Sequence, residues 1–165
     1  MRYFILLLLI GSAAVASGCY SLSGISIDPE TNTYYVEPFK NNARNVVPSL
    51  AQILTEDLKE KIRLESRLLY VDRDPDIEFK GTVVDYRVTS EAPEPGETTA
   101  INRLTIVTSI EYINTKNEDK NWKKNFPFFF DFASNVDLSN IQDEAIESIS
   151  DQLMEDIFNE AFTDW

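Results

Sequence analysis

Trp122, Phe126, Phe128, Phe130 and Phe132 fall on one face of an extended segment at period two, the spacing at which a β-strand sends side chains to alternate sides. A helix would scatter these rings around its circumference, so the run predicts a strand with one face that must be covered. Pro127 lies on the opposite face and has no N–H to give a neighbour, which puts this strand at a sheet edge or a bulge. The segment 101–114 alternates in the same way. Leu104, Ile106, Ile110 and Tyr112 oppose Arg103, Thr105, Ser109 and Glu111, and only one of the two faces needs covering. A polar turn, Thr115 to Lys120, joins the two strands.

The covering layer is legible as two helices. Leu50, Ile53, Leu54, Leu58 and Ile62 form one apolar stripe, and Pro48 suits the first position of that helix. Ile141, Ala145, Ile149, Leu153 and Ile157 form a second, with Ser139 and Gln142 spaced as a capping box ahead of it. Three further strands are expected. Thr33 to Phe39 is β-rich and ends beside a proline, and Leu68 to Val71 reads as a short buried strand. With a helix between them, these two should be parallel. Ile77 to Thr89 changes apolar phase midway, from Ile77, Phe79 and Val83 to Val84, Tyr86 and Val88, which predicts a bulge near Gly81. Ser90 to Thr99, with Pro93, Pro95 and Gly96, reads as a hairpin loop. Asp72, Asp74 and Asp76 alternate, but a calcium loop starting at Asp72 would require glycine where Ile77 stands and glutamate where Val83 stands; a solvated turn around Pro75 is expected instead. The order β-α-β-β-β-β-α gives an α+β fold. It is a two-layer sandwich of a mixed, mostly antiparallel sheet with two helices packed on one face, and residues 33–165 make up a single domain.

Ahead of this domain, residues 1–18 have the layout of a secretory signal peptide: Arg2, an apolar run from Phe4 to Ile10, then small residues. The apolar run is well short of the ~20 residues that span a bilayer. Ala16-Ser17-Gly18-Cys19 resembles a lipobox, in which the cysteine is acylated and becomes the mature N-terminus. Cys19 is the single cysteine of the chain and has no disulfide partner within it. Residues 19–32, polar and rich in Ser, Gly and Asp, read as a lipidated tether. The net charge is −13, and Arg2 is the only charge before Cys19, so the chain after cleavage carries −14. Such a field repels nucleic acid and anionic bilayers, leaving the lipid as the means of membrane attachment. With no histidine and no second cysteine, imidazole acid–base chemistry, thiol nucleophiles and the usual zinc sites are excluded. None of the 28 acids stands in a recognisable catalytic motif. No cofactor and no metal site is expected, and no enzymatic activity.

Three separated stretches carry a resemblance. They are Val36-Glu37-Pro38-Phe39-Lys40-Asn41-Asn42-Ala43, then Asn102-Arg103-Leu104-Thr105-Ile106 with Tyr112, Asn114 and Thr115 after it, and Asp156-Ile157-Phe158-Asn159-Glu160-Ala161. In this order they resemble LptE-type lipoproteins over nearly the whole chain after Cys19. The resemblance implies a two-layer α/β fold and a subunit of the outer-membrane lipopolysaccharide translocon. There it would be a non-enzymatic plug and assembly partner of an LptD-like β-barrel that meets lipopolysaccharide on its way to the outer leaflet. It would be held by its lipid on the periplasmic face of the outer membrane. A different class remains open, a periplasmic lipoprotein that scaffolds or activates another envelope system, since domains resembling the N-terminal part of TolB share the order of elements.

Two groups of residues are candidates for contact. Lys116, Lys120, Lys123 and Lys124 form the single overtly basic stretch and could meet the phosphates of lipopolysaccharide or protect an edge strand. Arg103 could contact the barrel or lipopolysaccharide, or pair with an acid on the neighbouring strand. Met154, Phe158 and Phe162 recur every four residues off the main stripe of the last helix. They are expected either to cover a helix end or, if exposed, to meet a partner.

Overall fold

In the computed structural model, residues 24–45, 47–91 and 100–163 are described. The chain runs β1 (Thr33–Val36), β2 (Lys40–Asn41), α1 (Leu50–Glu65), β3 (Leu69–Tyr70), β4 (Ile77–Glu91), β5 (Ile101–Asn114), β6 (Trp122–Ala133) and α2 (Gln142–Phe162). The sheet order is β3-β1-β4-β5-β6, with the short β2 also on β4. β1 is parallel to β3 and β4, β2 is parallel to β4, and β4-β5-β6 is an antiparallel meander. This is the expected α+β sandwich, with the two-residue β2 added.

The core lies between one face of the sheet and the two helices. Leu50, Leu54, Leu58 and Ile62 of α1 are fully buried in one core cluster with Val36, Ile77, Phe79, Val83, Leu104, Ile106 and Ile110; α1 lies over β1 to β4 and α2 over β5 and β6. Thr55 joins the α1 stripe for a polar reason. Its hydroxyl donates to the Ala51 carbonyl (2.6 Å) and accepts the Phe39 N–H (2.9 Å), locking the β1–β2 link onto the helix. Pro48 lies in the turn before α1, which starts at Leu50 after Ser49.

Several expectations are corrected. Leu69 and Tyr70 are exposed, because β3 is an edge strand paired on one side only. The register slip in β4 falls between Val83 and Asp85, at Val84 and not at Gly81, and the strand continues to Glu91. The capping box does not form, since α2 has no side-chain cap. Ser139 sits instead in a single turn, Leu138–Asn140, whose Asp137 carboxylate accepts the Ser139 N–H. Met154, Phe158 and Phe162 are buried in the core (4%, 2% and 2% exposed), so they pack within this domain and do not offer a surface strip to a partner. The loop expected at Ser90 to Thr99 falls mostly outside the described residues, as do the signal peptide and Cys19.

The described part of the expected tether is docked. Ile25 bridges Thr163, the Ser26 N–H donates to the Phe162 carbonyl (2.6 Å), and Arg67 reaches the Asp28 carbonyl (2.7 Å) and Asn32 (3.1 Å). Ile25 and Ile27 pack on the core. The segment enters β1 at Asp76, whose carboxylate accepts the N–H groups of Asn32 (2.8 Å) and Thr33 (3.1 Å) and lies 3.3 Å from the Lys116 ammonium. These donors, the Asn32 N–H first, hold the Asp76 carboxyl below its usual range, against the opposing effect of partial burial.

The stabilisation from a depressed carboxylate is full above its unfolded pKa of 3.8 and is lost as pH falls through the lower folded value. Asp76→Asn is therefore expected to cost about 1.5 kcal/mol at neutral pH. The difference from wild type should shrink below about pH 4, as read by thermal unfolding across that range. A penalty independent of pH would show that the charge is not what matters.

Candidate functional site

The helices cover one face of the sheet and leave the other to solvent. Odd positions of β5 and β6 and the even positions 78–82 of β4 point to this open face, because their neighbours Phe79, Val83, Ile110 and Phe126 are buried on the other side. Strand register then sets two polar rows across the sheet. Lys80 pairs with Glu111 and Glu111 with Lys123; one step along, Lys40 pairs with Thr82, Thr82 with Ser109 and Ser109 with Asn125. Together they form a shallow cavity of about 330 Å³, in which Lys40, Lys80 and Lys123 surround the single carboxylate of Glu111 over a floor of Thr82 and Ser109.

The Lys123 ammonium lies 3.2 Å from Glu111, Lys80 lies 3.4 Å from Glu78, and Lys40 lies 3.0 Å from Glu37. These pairs are substantially solvated, with 67% of the Lys40 and Lys123 side chains exposed. Exposed pairs of this kind contribute only ~0–1 kcal/mol. All three ammonium groups are therefore available to a competing anion, which would displace their pairs with Glu37, Glu78 and Glu111.

The expected basic cluster is split by the strand and turn geometry. Lys123 alone belongs to the cavity. Lys124, one residue on, points to the helix face and pairs with Glu160 of α2. Lys116 is held at Asp76. Lys120 ends the turn Glu118–Lys120 and has no ion pair among the described residues. Arg103 lies on the same open face eight residues before Glu111 along β5, about 26 Å away. It makes the cross-strand pair with Asp131 through two hydrogen bonds (2.7 and 2.8 Å) and covers the Phe129 ring at 4.0 Å. Each partner reinforces the other: the Asp131 hydrogen bond raises the Arg103 pKa, and that of Arg103 lowers the carboxyl of Asp131.

Between these charged ends β5 and β6 present an apolar strip, while β4 carries the Asp85–Arg87 ion pair beside Val107 and Thr105. The bulge residue Val84 (42% exposed) and Phe129 (52% exposed) flank the paired Val107 and Pro127. The open face is thus amphiphilic, with ammonium groups at one end, an apolar strip flanked by the Asp85–Arg87 pair in the middle, and the Arg103 guanidinium at the other end. Lys40 and Lys80 escaped the sequence reading. Lys80 alternates with Phe79 and Gly81 and could have been placed on the polar face by parity; Lys40 could not, because a two-residue strand leaves no periodic signal.

Among the described residues no group of three His, Cys, Asp or Glu side chains could hold a metal ion. No helix among them is long and apolar enough to cross a membrane.

Comparison with known proteins gives the fold relatives and the family. A putative neuraminyllactose-binding hemagglutinin homolog from Helicobacter pylori is 12% identical with a TM-score of 0.50, over 82% of this chain and 87% of that one. A minor lipoprotein from Acinetobacter baumannii is 12% identical with a TM-score of 0.44, over 79% and 96%. A putative lipoprotein from Caulobacter crescentus, 10% identical with a TM-score of 0.43, is matched over 75% of this chain and 87% of that one. At such identities the first likeness concerns the fold alone, and the other two add no further argument. No curated protein sequence matches the chain. The family profile described as LptE, lipopolysaccharide-assembly, matches residues 31–161, from the docked segment before β1 to the last turn of α2. The chain belongs to the LptE family of lipopolysaccharide-assembly proteins.

Proposed function

We propose that this protein is the lipoprotein subunit of an outer-membrane lipopolysaccharide translocon, acylated at Cys19 and held on the periplasmic face. It acts without catalysis, as plug and assembly partner of an LptD-like β-barrel, and assists delivery of lipopolysaccharide to the outer leaflet. The observation that supports a contact role most directly is the open sheet face. In a chain of net charge −13, three ammonium groups converge there beside an apolar strip. Lipopolysaccharide presents that combination, phosphates next to acyl chains, and ammonium groups serve as point-charge partners for phosphate. Lys123 and Arg103 are the sequence candidates that lie on this face, joined by Lys40 and Lys80. Lys116, Lys120 and Lys124 stand away from the cavity and would contribute through the wider field.

Gentle detergent extraction of the outer membrane should recover the protein with a large β-barrel partner, and depletion should keep lipopolysaccharide from the cell surface. Normal surface lipopolysaccharide after depletion would remove this reading. For the face itself, the double substitution Lys80→Gln and Lys123→Gln in the full chain should weaken lipopolysaccharide binding at least ~10-fold, the loss of one or two charge-assisted contacts. Stability should change by no more than ~0.5 kcal/mol per exposed site. Undiminished binding would take the open face out of the mechanism.

A further inference from the structure

The docking of residues 24–32 limits how the folded body can sit on a membrane. Ile25 and Ser26 are fastened to Thr163 and Phe162 at the C-terminal end of α2, and Gly24 lies beside the Thr163 methyl (3.8 Å from an ideal Cβ). That end of α2 is tied to the start of β6 by Lys124 and Glu160, and to the start of β4 by the ring contact of Phe162 with Phe79. Asp76 then joins Asn32 and Thr33 to Lys116, so the 115–121 turn belongs to the same end. From Cys19 to Gly24 is five residue steps, which even fully extended reach only ~17 Å. The other end of the sheet, where Ile101 pairs with Ala133 and the Ser134 N–H meets the Ala100 carbonyl, lies eleven ladder steps beyond the Tyr112–Trp122 pair. That is about 36 Å.

We infer that the end of the sandwich carrying the 115–121 turn faces the leaflet that holds the acyl anchor, and that the Ser134 end points away from it. The inference rests on acylation of Cys19. Its cause is the length of the leash and not attraction. At this end Asp28, Glu30, Asp76, Glu118 and Asp119 outnumber Arg67, Lys116 and Lys120, so the lipid headgroups do not draw it in electrostatically. The Lys80–Glu111–Lys123 row lies one ladder step from Tyr112 and Trp122. The cavity is thereby carried near headgroup level, facing anions held in that same leaflet, while Arg103 stands far from it.

The test uses the full acylated protein in vesicles of phosphatidylethanolamine and phosphatidylglycerol, some of the lipids bearing a headgroup quencher. Glu118→Cys and Ser134→Cys are each labelled with a fluorophore; both positions are exposed, and acylated Cys19 does not react. Emission should be lost at position 118 and retained at 134, with no change on raising salt. Inserting about twenty Gly-Ser residues between Tyr20 and Gly24, a coil of ~25 Å root-mean-square span, should abolish the contrast. Equal or reversed quenching in vesicle-bound protein would overturn the orientation while leaving the anchor intact. Protein that does not float with the vesicles, or whose N-terminal peptide lacks the acyl mass, would remove the anchor, and the orientation would fall with it.

Discussion

Phe158→Ala should cost the fold about 4 kcal/mol, within the range for truncating a fully buried aromatic ring. With ~2–4 °C of Tm per kcal/mol for a chain of this size, the midpoint should fall by about 10 °C. Phe158 is 2% exposed, its ring meets Phe162 edge-on at 4.9 Å, and Phe162 meets Phe79 at 6.1 Å. This chain of rings joins the last turns of α2 to the sheet, and the Lys61 ammonium caps it at 5.6 Å from the Phe158 centroid. The site cannot readily collapse, because the docked 24–32 segment is itself fastened to Phe162 and Thr163 on the other side. A partner-facing phenylalanine on the surface would behave differently, with a truncation cost near ~0.5 kcal/mol. Denaturant unfolding of the purified protein separates the two: a loss below ~1 kcal/mol would return Phe158 to the surface.

That residue also shows where the sequence stops speaking. The stripe Ala145, Ile149, Leu153 and Ile157 marks the side of α2 that lies on the sheet, and it is buried as expected. Ile146, Ser150, Met154 and Phe158 are buried as well, on the flank toward α1, where Ser150 donates to Asp57 and Lys61 pairs with Glu155. Periodicity within one helix gives the direction of its apolar face. The width of that face depends on whether a second helix lies alongside, which is a fact about the other helix. The slip in β4 is legible as a change of phase, and the phase of Val83, shared with Ile77 and Phe79, puts it after that residue, where the register shifts. A slip at Gly81 would have turned Val83 out of the core, and the bulge makes no use of the conformational freedom of a glycine. At the candidate site, four lysines close in sequence are separated: Lys123 and Lys124 because neighbours on one strand point to opposite faces, and Lys116 and Lys120 because they lie in the turn before β6. The cavity gathers lysines from β2, β4 and β6, which only strand register could bring together.

Gly81 leads to the second large effect. It lies on the core side of β4, opposite Ile110, and the end of the Phe39 ring rests where a Cβ would project, closer than real Cβ atoms approach any neighbour. Gly81→Ala is therefore expected to cost about 3 kcal/mol through overpacking, since the ring has little freedom to retreat. Phe39 is 7% exposed, follows Pro38, and is held by its own N–H on the Thr55 hydroxyl. Pairing Gly81→Ala with Phe39→Leu should recover at least ~1 kcal/mol, a coupling expected only for residues in direct contact. Full additivity, or a Gly81→Ala protein as stable as wild type, would show that the close approach constrains nothing. The consequence extends to the open face, because Lys40 follows Phe39 directly and enters the cavity from β2. A ring pushed off Gly81 shifts the anchor of that two-residue strand, so under the function proposed above Gly81→Ala should also weaken lipopolysaccharide binding, although its own position faces away from the open face. Restored stability in the double variant should bring binding back with it, whereas neutralisation of Lys80 and Lys123 to glutamine should lower binding and leave stability nearly unchanged.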